Sequence, residues 1–520
     1  MTAETRKWLG LVGIALGVAM IVVDTTIVNV ITPAVIEDLG VNSTQAQWIQ
    51  ESYAIVFAAL LLIFGRVADL VGARRVFALG VLVFGVTSLL AGLAPTGEVL
   101  ILARFLQGAG GAMLLPTSLS LLNQTFTGKE RGQAYAVWGS TIGAATAVGP
   151  VIGGWFAEHA SWRWAFGINV PLVVLIFILT VVFIAPSPRS AGRIDVPGAL
   201  LSVAGLGALA YGLVEGRTYG WVTSIGGTDI AGLSPVFFAL IVAAVTLTLF
   251  VLRQVRLSRD GQPLMDTRLF RIPSFRNGNI ATVIIGLGEF GIVAVLPLWL
   301  QFTLGYTSLQ AGAALVPLAV GSFVANGMSF GLSSLSALTF VRLGLALEAA
   351  ALAGLAVIAA ATSAPWWSIA IAMFIYGIGV GFATAQVTNV VLADVPLTEA
   401  GQGSGIQSTF RQLGSALGIA VLTTVFFSTL GHQVKDTLTT AGQLPAAQID
   451  GYASAVTDSA GAVIAPLAAN PATASVAEAA RNAMADGIAL GAFIAAGLLL
   501  LGLLATLLIP ANRPQPELVH

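Results

Sequence analysis

Long apolar blocks alternate with short polar connections along almost the whole chain. Each block has about twenty residues, the length of an α-helix that crosses ~30 Å of bilayer hydrocarbon. A content of 57% hydrophobic and 9% charged residues excludes an ordinary soluble globular chain. The pattern predicts an all-α polytopic membrane protein with fourteen transmembrane helices, at residues 8–36, 47–66, 76–94, 98–123, 133–157, 164–185, 196–215, 231–252, 277–302, 309–330, 340–361, 366–390, 404–430 and 487–509.

Lysine and arginine residues concentrate in every second connection. Seventeen of the 23 basic residues fall on one predicted side of the membrane and four on the other, while Arg104 and Arg411 lie inside blocks. Because cytoplasmic loops are enriched in Lys and Arg, we predict that both chain termini are cytoplasmic. The expected location is the plasma membrane.

A weak internal repeat relates the two ends of the chain. ARFLQGAGGA at 103–112 resembles AMFIYGIGVG at 372–381, and STQA at 43–46 resembles SLQA at 308–311. Six-helix repeats of this kind are typical of transporters that rock about a central site. We therefore predict a six-helix bundle at 1–190, an inserted helix pair with a basic cytoplasmic linker at 191–274, and a second six-helix bundle at 275–520, with a long external loop at 431–486 that holds one or two short amphipathic helices.

The fifth block is unusually rich in small residues. Small residues four positions apart let a second helix approach closely in a membrane, and Pro150 removes one backbone hydrogen bond, so the helix can bend there. The block is either a static packing surface or a moving seam between the two bundles. The small residues form two rows: Gly139, Gly143 and Ala147 in one, and Gly149 and Gly153 in the other.

Few ionisable residues lie inside the blocks. Asp24 lies deep in the first block and Glu289 near the middle of the ninth. A charged side chain in hydrocarbon is unfavourable unless it faces a partner or a cavity, so both carboxyls are candidates for proton binding. Asp24 has an alternative role as a hydrogen-bonding anchor between helices. The other intramembrane charges are Glu51, which has an interfacial alternative, Glu348, which the spacing does not pair with Arg342, and Arg411, which is expected to snorkel or to bind backbone.

Several motifs occur in a fixed order along the chain. Together they resemble the major facilitator superfamily, and specifically its fourteen-helix drug:proton antiporter branch. The motifs are VVDTTIVNVITPAV at 22–35, GRVADLVGARR at 65–75, LARFLQGAGGA at 102–112, GPVIGG at 149–154, IDVPGALL at 194–201, EG and GW at 215–216 and 220–221, and GQGSGIQSTFRQLGSALGIAV at 401–421.

This resemblance implies a major facilitator fold and assigns roles to particular residues. Arg104, which has Met373 at its place in the repeat, is expected to tune a nearby carboxylate during proton transfer. Asp69 is expected to pair with a basic residue or a helix N-terminus, and it carries the gate alone because the second bundle lacks an equivalent motif. The cytoplasmic gate comprises Asp69, Gly72, Arg74 and Arg75, and the antiporter motif comprises Gly149, Pro150, Gly153 and Gly154.

The function expected from the resemblance is the export of lipophilic, cationic small molecules in exchange for protons. No cofactor is expected, because the proton gradient supplies the energy. The expected partners are a small-molecule substrate, protons and the lipid bilayer, without nucleic acid, and the unit is a monomer. The expected cavity is lined by Asp24, Asn29, Glu289, Phe290, Trp299 and Tyr376, although each aromatic residue has an alternative place in the core or against lipid.

Two other functions remain open. The same fold could export an endogenous metabolite, a lipid or a self-made antibiotic, and a membrane sensor without transport is a further alternative. An enzyme is disfavoured because the sequence has no nucleotide-binding loop and no nucleophile–base set. No metal site is expected, since the chain has no cysteine and its three histidines are far apart.

Overall fold

The computed structural model describes residues 3–41, 43–225, 230–260, 262–331, 335–360, 364–442 and 444–509. Within these ranges the chain is almost entirely helical. The helices are α1 Ala3–Leu39, α2 Ser43–Val71, α3 Ala73–Gly92, α4 Gly97–Thr125, α5 Gly128–His159, α6 Trp164–Gly167, α7 Asn169–Phe183, α8 Val196–Tyr219, α9 Pro235–Asp260, α10 Pro273–Phe302, α11 Ser308–Ala313, α12 Val316–Gly331, α13 Ala337–Ala360, α14 Trp366–Leu392, α15 Ala400–Ala441, α16 Ala446–Asp458, α17 Ile464–Ala469 and α18 Ala474–Ala505.

The predicted all-α membrane fold is confirmed. In the described part of the chain, 13 helical segments are long and apolar enough to cross a membrane, and Leu309–Ala325 is a shorter apolar segment at the place of the tenth block. Helices that coincide with all fourteen predicted blocks are therefore present.

Two of the predicted spans are each divided into two helices. The sixth is divided after Gly167, the last residue of α6, and the tenth after Ala313, the last residue of α11. Pro171 and Pro317 lie four residues beyond these ends. Because proline has no backbone N–H, it cannot donate to the carbonyl four residues earlier. The two prolines therefore account for the breaks.

Equivalent helix pairs pack against each other in the first six spans and in the last six spans. In the first six spans α1 packs on α5, and both α2 and α3 pack on α4. In the last six spans α10 packs on α15, and both α12 and α13 pack on α14. The inserted helices α8 and α9 pack on each other, and α8 also contacts α2 and α15.

The predicted external loop at 431–486 is largely helical. α15 continues to Ala441, α18 begins at Ala474, and α16 and α17 lie between them. α16 is amphipathic, because Ile449, Ala453 and Val456 are its buried residues and recur every three or four positions. One of the one or two expected short amphipathic helices is present as α16, but the two flanking helices extend further into this segment than the apolar blocks indicate.

Candidate functional site

A buried ion pair joins Asp24 of α1 to Arg104 of α4. The Asp24 side chain is fully buried, and its carboxylate also accepts hydrogen bonds from Gln107 Nε2 at 2.8 Å and Asn169 Nδ2 at 3.1 Å. Arg104 Nε donates to the Ile49 carbonyl at 3.1 Å. A buried charge pair is favourable only when such additional hydrogen bonds satisfy its polar atoms, and this network does so.

The sequence identified only part of this first carboxylate site. Gln107 lies three residues after Arg104, so the two share a face of α4; that spacing was the available signal. Asn169, at the start of α7, had no local signal, because only the packing of α7 on α1 brings it to Asp24.

The structure places Asp24 inside the first bundle. The side chains and backbone that bind Asp24 and Arg104 all come from α1–α7, so the carboxylate does not line a central cavity in this conformation and does not meet Glu289. The side chain of Asn29, also expected at the cavity, lies outside the described residues.

A second carboxylate site occupies the last six spans. Glu289 of α10 accepts a hydrogen bond from Thr384 Oγ1 of α14 at 2.8 Å, and its backbone carbonyl accepts one from the Tyr376 hydroxyl at 2.7 Å. Arg411 of α15 lines the same small cavity as Glu289, which has the volume of about one water molecule. Glu348 of α13 is fully buried nearby, within electrostatic reach of Glu289.

The expected snorkelling of Arg411 is wrong. Its guanidinium carbon lies 5.6 Å from the Trp138 ring centre and 5.7 Å from the Phe290 ring centre. Both rings are close enough for cation–π attraction. Arg411 therefore points into the protein and faces Glu289 rather than lipid headgroups.

Two of the aromatic residues predicted to line the cavity belong to the core. Trp299 and Tyr376 are both 1% exposed. Tyr376 positions the backbone of Glu289, and Trp299 packs in the main hydrophobic cluster. The Phe290 ring lies beside the Arg411 guanidinium. Glu51 of α2 is buried as well.

Asp24 and Glu289 occupy matching positions in the repeat. They are 265 residues apart, the same separation that relates the STQA and SLQA sequences. Arg104 and Met373 are related by the separation of 269 residues that aligns the glycines of α4 and α14. The second site thus has the carboxylate but lacks a directly bonded arginine, and Arg411 supplies the positive charge from another helix.

Asp69 binds the N-terminus of α15. Its two carboxylate oxygens accept hydrogen bonds from the backbone N–H groups of Gly401 at 2.6 Å and Gln402 at 2.7 Å. The first N–H groups of a helix have no partner within the helix and carry partial positive charge, so they are a suitable partner for a carboxylate. Of the two partners predicted for Asp69, the structure has the helix N-terminus.

The other residues of the predicted gate shape the turn between α2 and α3. Gly72 has a φ of 103°, a conformation that favours glycine. Arg74 donates to the Val181 carbonyl at 2.5 Å and thereby ties the turn to α7, whereas the Arg75 side chain is exposed.

The glycine rows of α5 face different partners. A Cβ on Gly139 would lie 2.6 Å from Ala385 Cβ of α14, and one on Gly143 would lie 2.7 Å from Ser322 Oγ of α12, so these two glycines of the first row face the last six spans. The side chain of Ala147 lies outside the described residues. A Cβ on Gly149 would overlap Thr26, and one on Gly153 would lie 2.8 Å from Ile27, both on α1.

The expectation that the whole stretch is a seam between the bundles is therefore correct only for the two glycines of its first row. The second row, which belongs to the antiporter motif, packs within the first bundle. Pro150 faces the last six spans, with its Cβ 3.6 Å from the Cβ position of Gly312, whereas Gly154 lies loosely against Val30.

Several contacts between the first and last six spans lie at the predicted cytoplasmic ends of the helices. Besides Asp69, Gln386 Nε2 donates to the Gly132 carbonyl at 3.0 Å and Asn123 Nδ2 to the Leu392 carbonyl at 3.4 Å. A Cβ on Gly65 of α2 would lie 2.6 Å from the Gly401 carbonyl oxygen of α15. These contacts close this end of the molecule.

Two repeated helical bundles with buried charges at matching positions define a membrane transporter of the rocking type. The family model of the Major Facilitator Superfamily matches residues 14–419. The chain belongs to the Major Facilitator Superfamily. It is 32% identical over 507 residues to the multidrug efflux pump LfrA of Mycolicibacterium smegmatis, covering 95% of each chain. It is 35% identical over 460 residues to the puromycin resistance protein pur8 of Streptomyces alboniger, covering 86% of each.

Solved structures of transporters have the same fold. The human organic anion transporter MFSD10 superposes with a TM-score of 0.60 at 12% identity, covering 97% of this chain and 100% of that one. The proton:xylose symporter XylE superposes with a TM-score of 0.55 at 12% identity, covering 89% of this chain and 96% of that one. At this identity the similarity concerns the fold alone.

Proposed function

We propose that this protein exports lipophilic, cationic small molecules across the plasma membrane in exchange for protons. The observation that carries this proposal is the pair of buried carboxyls, Asp24 and Glu289, at matching positions of the repeat. An intramembrane carboxyl can bind a proton or a cation, and the binding of one disfavours the other. The similarity of the chain to a multidrug efflux pump, over 95% of both chains, supports outward transport and this type of cargo.

Glu289 is the carboxyl that is better placed to meet cargo. Only one side chain, Thr384, donates a hydrogen bond to its carboxylate among the described residues, and a small cavity adjoins it. Asp24 is held by three side-chain donors and would act through its ion pair with Arg104. Protonation from the external side would weaken cargo binding at Glu289 and favour return of the empty carrier.

Transport by the purified protein in liposomes tests this function. An imposed pH gradient should drive uptake of the permanent cation tetraphenylphosphonium into liposomes, and substrate should stimulate a counterflow of protons. Glu289→Gln should abolish the gradient-driven part. Transport that is unchanged in both Asp24→Asn and Glu289→Gln would refute the mechanism.

A second cargo class is favoured by other relatives. The chain is 30% identical over 441 residues to the tetracenomycin C resistance and export protein of Streptomyces glaucescens, covering 83% of this chain and 78% of that one. We therefore also consider export of an antibiotic made by the host itself. Uptake that is saturable for one aromatic antibiotic and absent for structurally unrelated cations would favour this narrower function.

The proposed orientation places both termini in the cytoplasm, and a single chain supplies the whole transport path. Because the sequence has no cysteine, single cysteines at Arg259 and Thr439 can be labelled without background. An impermeant maleimide applied to whole cells should label the second and not the first. The mass of the purified protein in native mass spectrometry should correspond to one chain.

A further inference from the structure

Glu348 is a buried carboxyl that the proposed mechanism does not use. It lies in the middle of α13 with 0% of its surface exposed, and neither carboxyl oxygen has a hydrogen-bond partner among the described residues. Its side chain packs on the backbone of Gly379 in α14, where a Cβ would lie 2.5 Å from Glu348 Cγ. An ionised carboxylate in such surroundings is strongly disfavoured. Glu348 therefore holds a proton in this conformation.

Among the described residues, the charged neighbour of Glu348 is one other carboxyl, and the guanidinium of the site faces that carboxyl. Glu289 of α10 interacts electrostatically with Glu348. Tyr376 of α14, which lies one helical turn before Gly379, is also within electrostatic reach of Glu348. Arg411 of α15 faces Glu289. α18 also packs on α13 but has no ionisable residue from 487 to 509.

The remaining charge on α13 is engaged elsewhere. Arg342 Nη2 donates to the Thr506 carbonyl at 3.2 Å, at the cytoplasmic end of α18, and lies six residues from Glu348. The described site thus contains two carboxyls and the single guanidinium of Arg411. If both carboxyls were ionised, one buried negative charge would be uncompensated, so one of them carries a proton. Glu348 is that one, because Glu289 has Thr384 as a donor and Arg411 as a counter-ion.

We propose that Glu348 and Glu289 form a cation–proton exchange pair. With Arg411 as the only positive charge among the described residues of the site, Glu348 keeps its proton; when a cationic cargo binds beside Glu289, a second positive charge is present and Glu348 releases the proton. The O–H bond of Glu348 breaks, the proton passes to solvent water that enters with the cargo, and the carboxylate that remains is balanced by the cargo. This inference rests on the proposed function and adds the residue from which the exchanged proton comes.

The exchange pair makes a specific requirement of the cargo. Release depends on the charge of the cargo rather than on its shape, because the interaction between charges in a medium of low dielectric constant is strong. A neutral aromatic compound of similar size would bind without releasing a proton.

Proton release on binding provides the test. The purified protein in detergent is titrated with tetraphenylphosphonium at pH 7 in weak buffer with a pH-indicator dye. The wild type should release about one proton per cation bound, and Glu348→Gln should bind the cation with at least a tenfold smaller release. Glu478→Gln, which removes an exposed carboxyl of α18, should behave as the wild type.

Release that is undiminished in Glu348→Gln would overturn the exchange pair. If that variant does not fold, infrared spectroscopy of the cargo-free wild type decides. A protonated carboxyl band at pH 7 that disappears on adding tetraphenylphosphonium supports the pair, and the absence of such a band contradicts it. A wild type that releases protons on binding but moves no cation under a pH gradient would instead refute the proposed function and leave the pair intact.

Discussion

Asp24 and Glu289 are equivalent in the repeat, but the residues around them differ and give the two carboxyls different properties. Three side chains donate hydrogen bonds to the Asp24 carboxylate, and one of them is the bonded arginine. Glu289 has one side-chain donor among the described residues and a less direct arginine. The geometry therefore favours the anchoring role for Asp24 in this conformation. Glu289 is held by fewer donors and is the carboxyl that can more easily change its partner.

Replacement of Arg104 tests the anchoring role. Arg104→Ala leaves Asp24 buried without a counter-ion, so the variant should lose ~3–5 kcal/mol of stability. Thermal unfolding in detergent should show a large fall in Tm. The double variant Asp24→Asn, Arg104→Ala removes the stranded charge as well and should be more stable than Arg104→Ala alone. A double variant that is less stable than the single one would contradict this account.

At the scale of elements, one helix serves two interfaces. The first glycine row of α5 permits close approach to α12 and α14, and the second row permits close approach to α1. The change of face follows from the positions of the glycines, because Gly143 and Gly149 are six residues apart and do not share a face. The α1–α5 contact holds the helix that carries Asp24.

A Cβ at Gly149 should disturb this contact. It would overlap Thr26 of α1, so Gly149→Ala should reduce transport several-fold while the protein still inserts in the membrane. Addition of Thr26→Ala removes the overlapping hydroxyl and should restore part of the rate. Transport and surface expression are measured together. Equal transport by wild type and Gly149→Ala would show that α1 and α5 do not need this approach.

The basic linker also has a defined structure. Arg253 donates two hydrogen bonds to Asp195 Oδ1, at 3.0 and 2.7 Å, and Gln254 donates one to Oδ2 at 2.9 Å. Burial opposes ionisation of Asp195, but the hydrogen bonds from Arg253 and Gln254 outweigh it and hold the pKa of this carboxyl below its ordinary value. These contacts join the start of α8 to the end of α9.

The depressed pKa of Asp195 predicts a pH-dependent contribution to stability. A group whose pKa is lower in the folded state stabilises that state above its unfolded pKa, and this contribution declines as the pH falls through the folded pKa. Asp195→Asn should therefore be less stable than the wild type at pH 7, by ~1–3 kcal/mol, and the difference should shrink below about pH 4. A difference in Tm that is constant from pH 7 to pH 3.5 would contradict this assignment.

At the scale of the whole molecule, the first and last six spans meet along α5 and at the predicted cytoplasmic end. Asp69 spans this contact by binding the N-terminus of α15, and Ser190 Oγ donates to the Thr398 carbonyl at 2.6 Å beside it. Two charge-assisted hydrogen bonds at a helix N-terminus are stronger than neutral ones. They are therefore the contacts whose loss would most favour opening.

Disulfide trapping can measure this closure. Cysteines at Ser190 and Thr398 should cross-link rapidly under mild oxidation in the otherwise cysteine-free chain. Asp69→Asn retains one acceptor but replaces the other with a donor that faces an N–H group, so the cross-linking rate should fall several-fold. Asp38→Asn is the matched control and should leave the rate unchanged, because Asp38 lies near the last residue of α1, at the predicted external end of the molecule. An equal rate in Asp69→Asn would show that other contacts hold this end closed.

The sequence by itself determined the class of the protein and the number and order of the spans, while the breaks before Pro171 and Pro317 were not predicted, although the prolines explain them. The spans follow from the length of apolar blocks and the breaks from the chemistry of proline, which act locally along the chain. It also identified the buried charges, because an ionisable residue in an apolar block stands out wherever it points.

Only the tertiary structure decided which charges meet. Asn169 reaches Asp24, Arg411 turns towards Glu289, and Glu348 packs on Gly379 through contacts between helices that are far apart in sequence. The face of a helix that is turned inward depends on its packing partners, and helices surrounded by lipid have no polar face to reveal that orientation in the sequence. The sequence identified the glycine stretch of α5 as a close-packing element. It did not show that the stretch is divided between two interfaces.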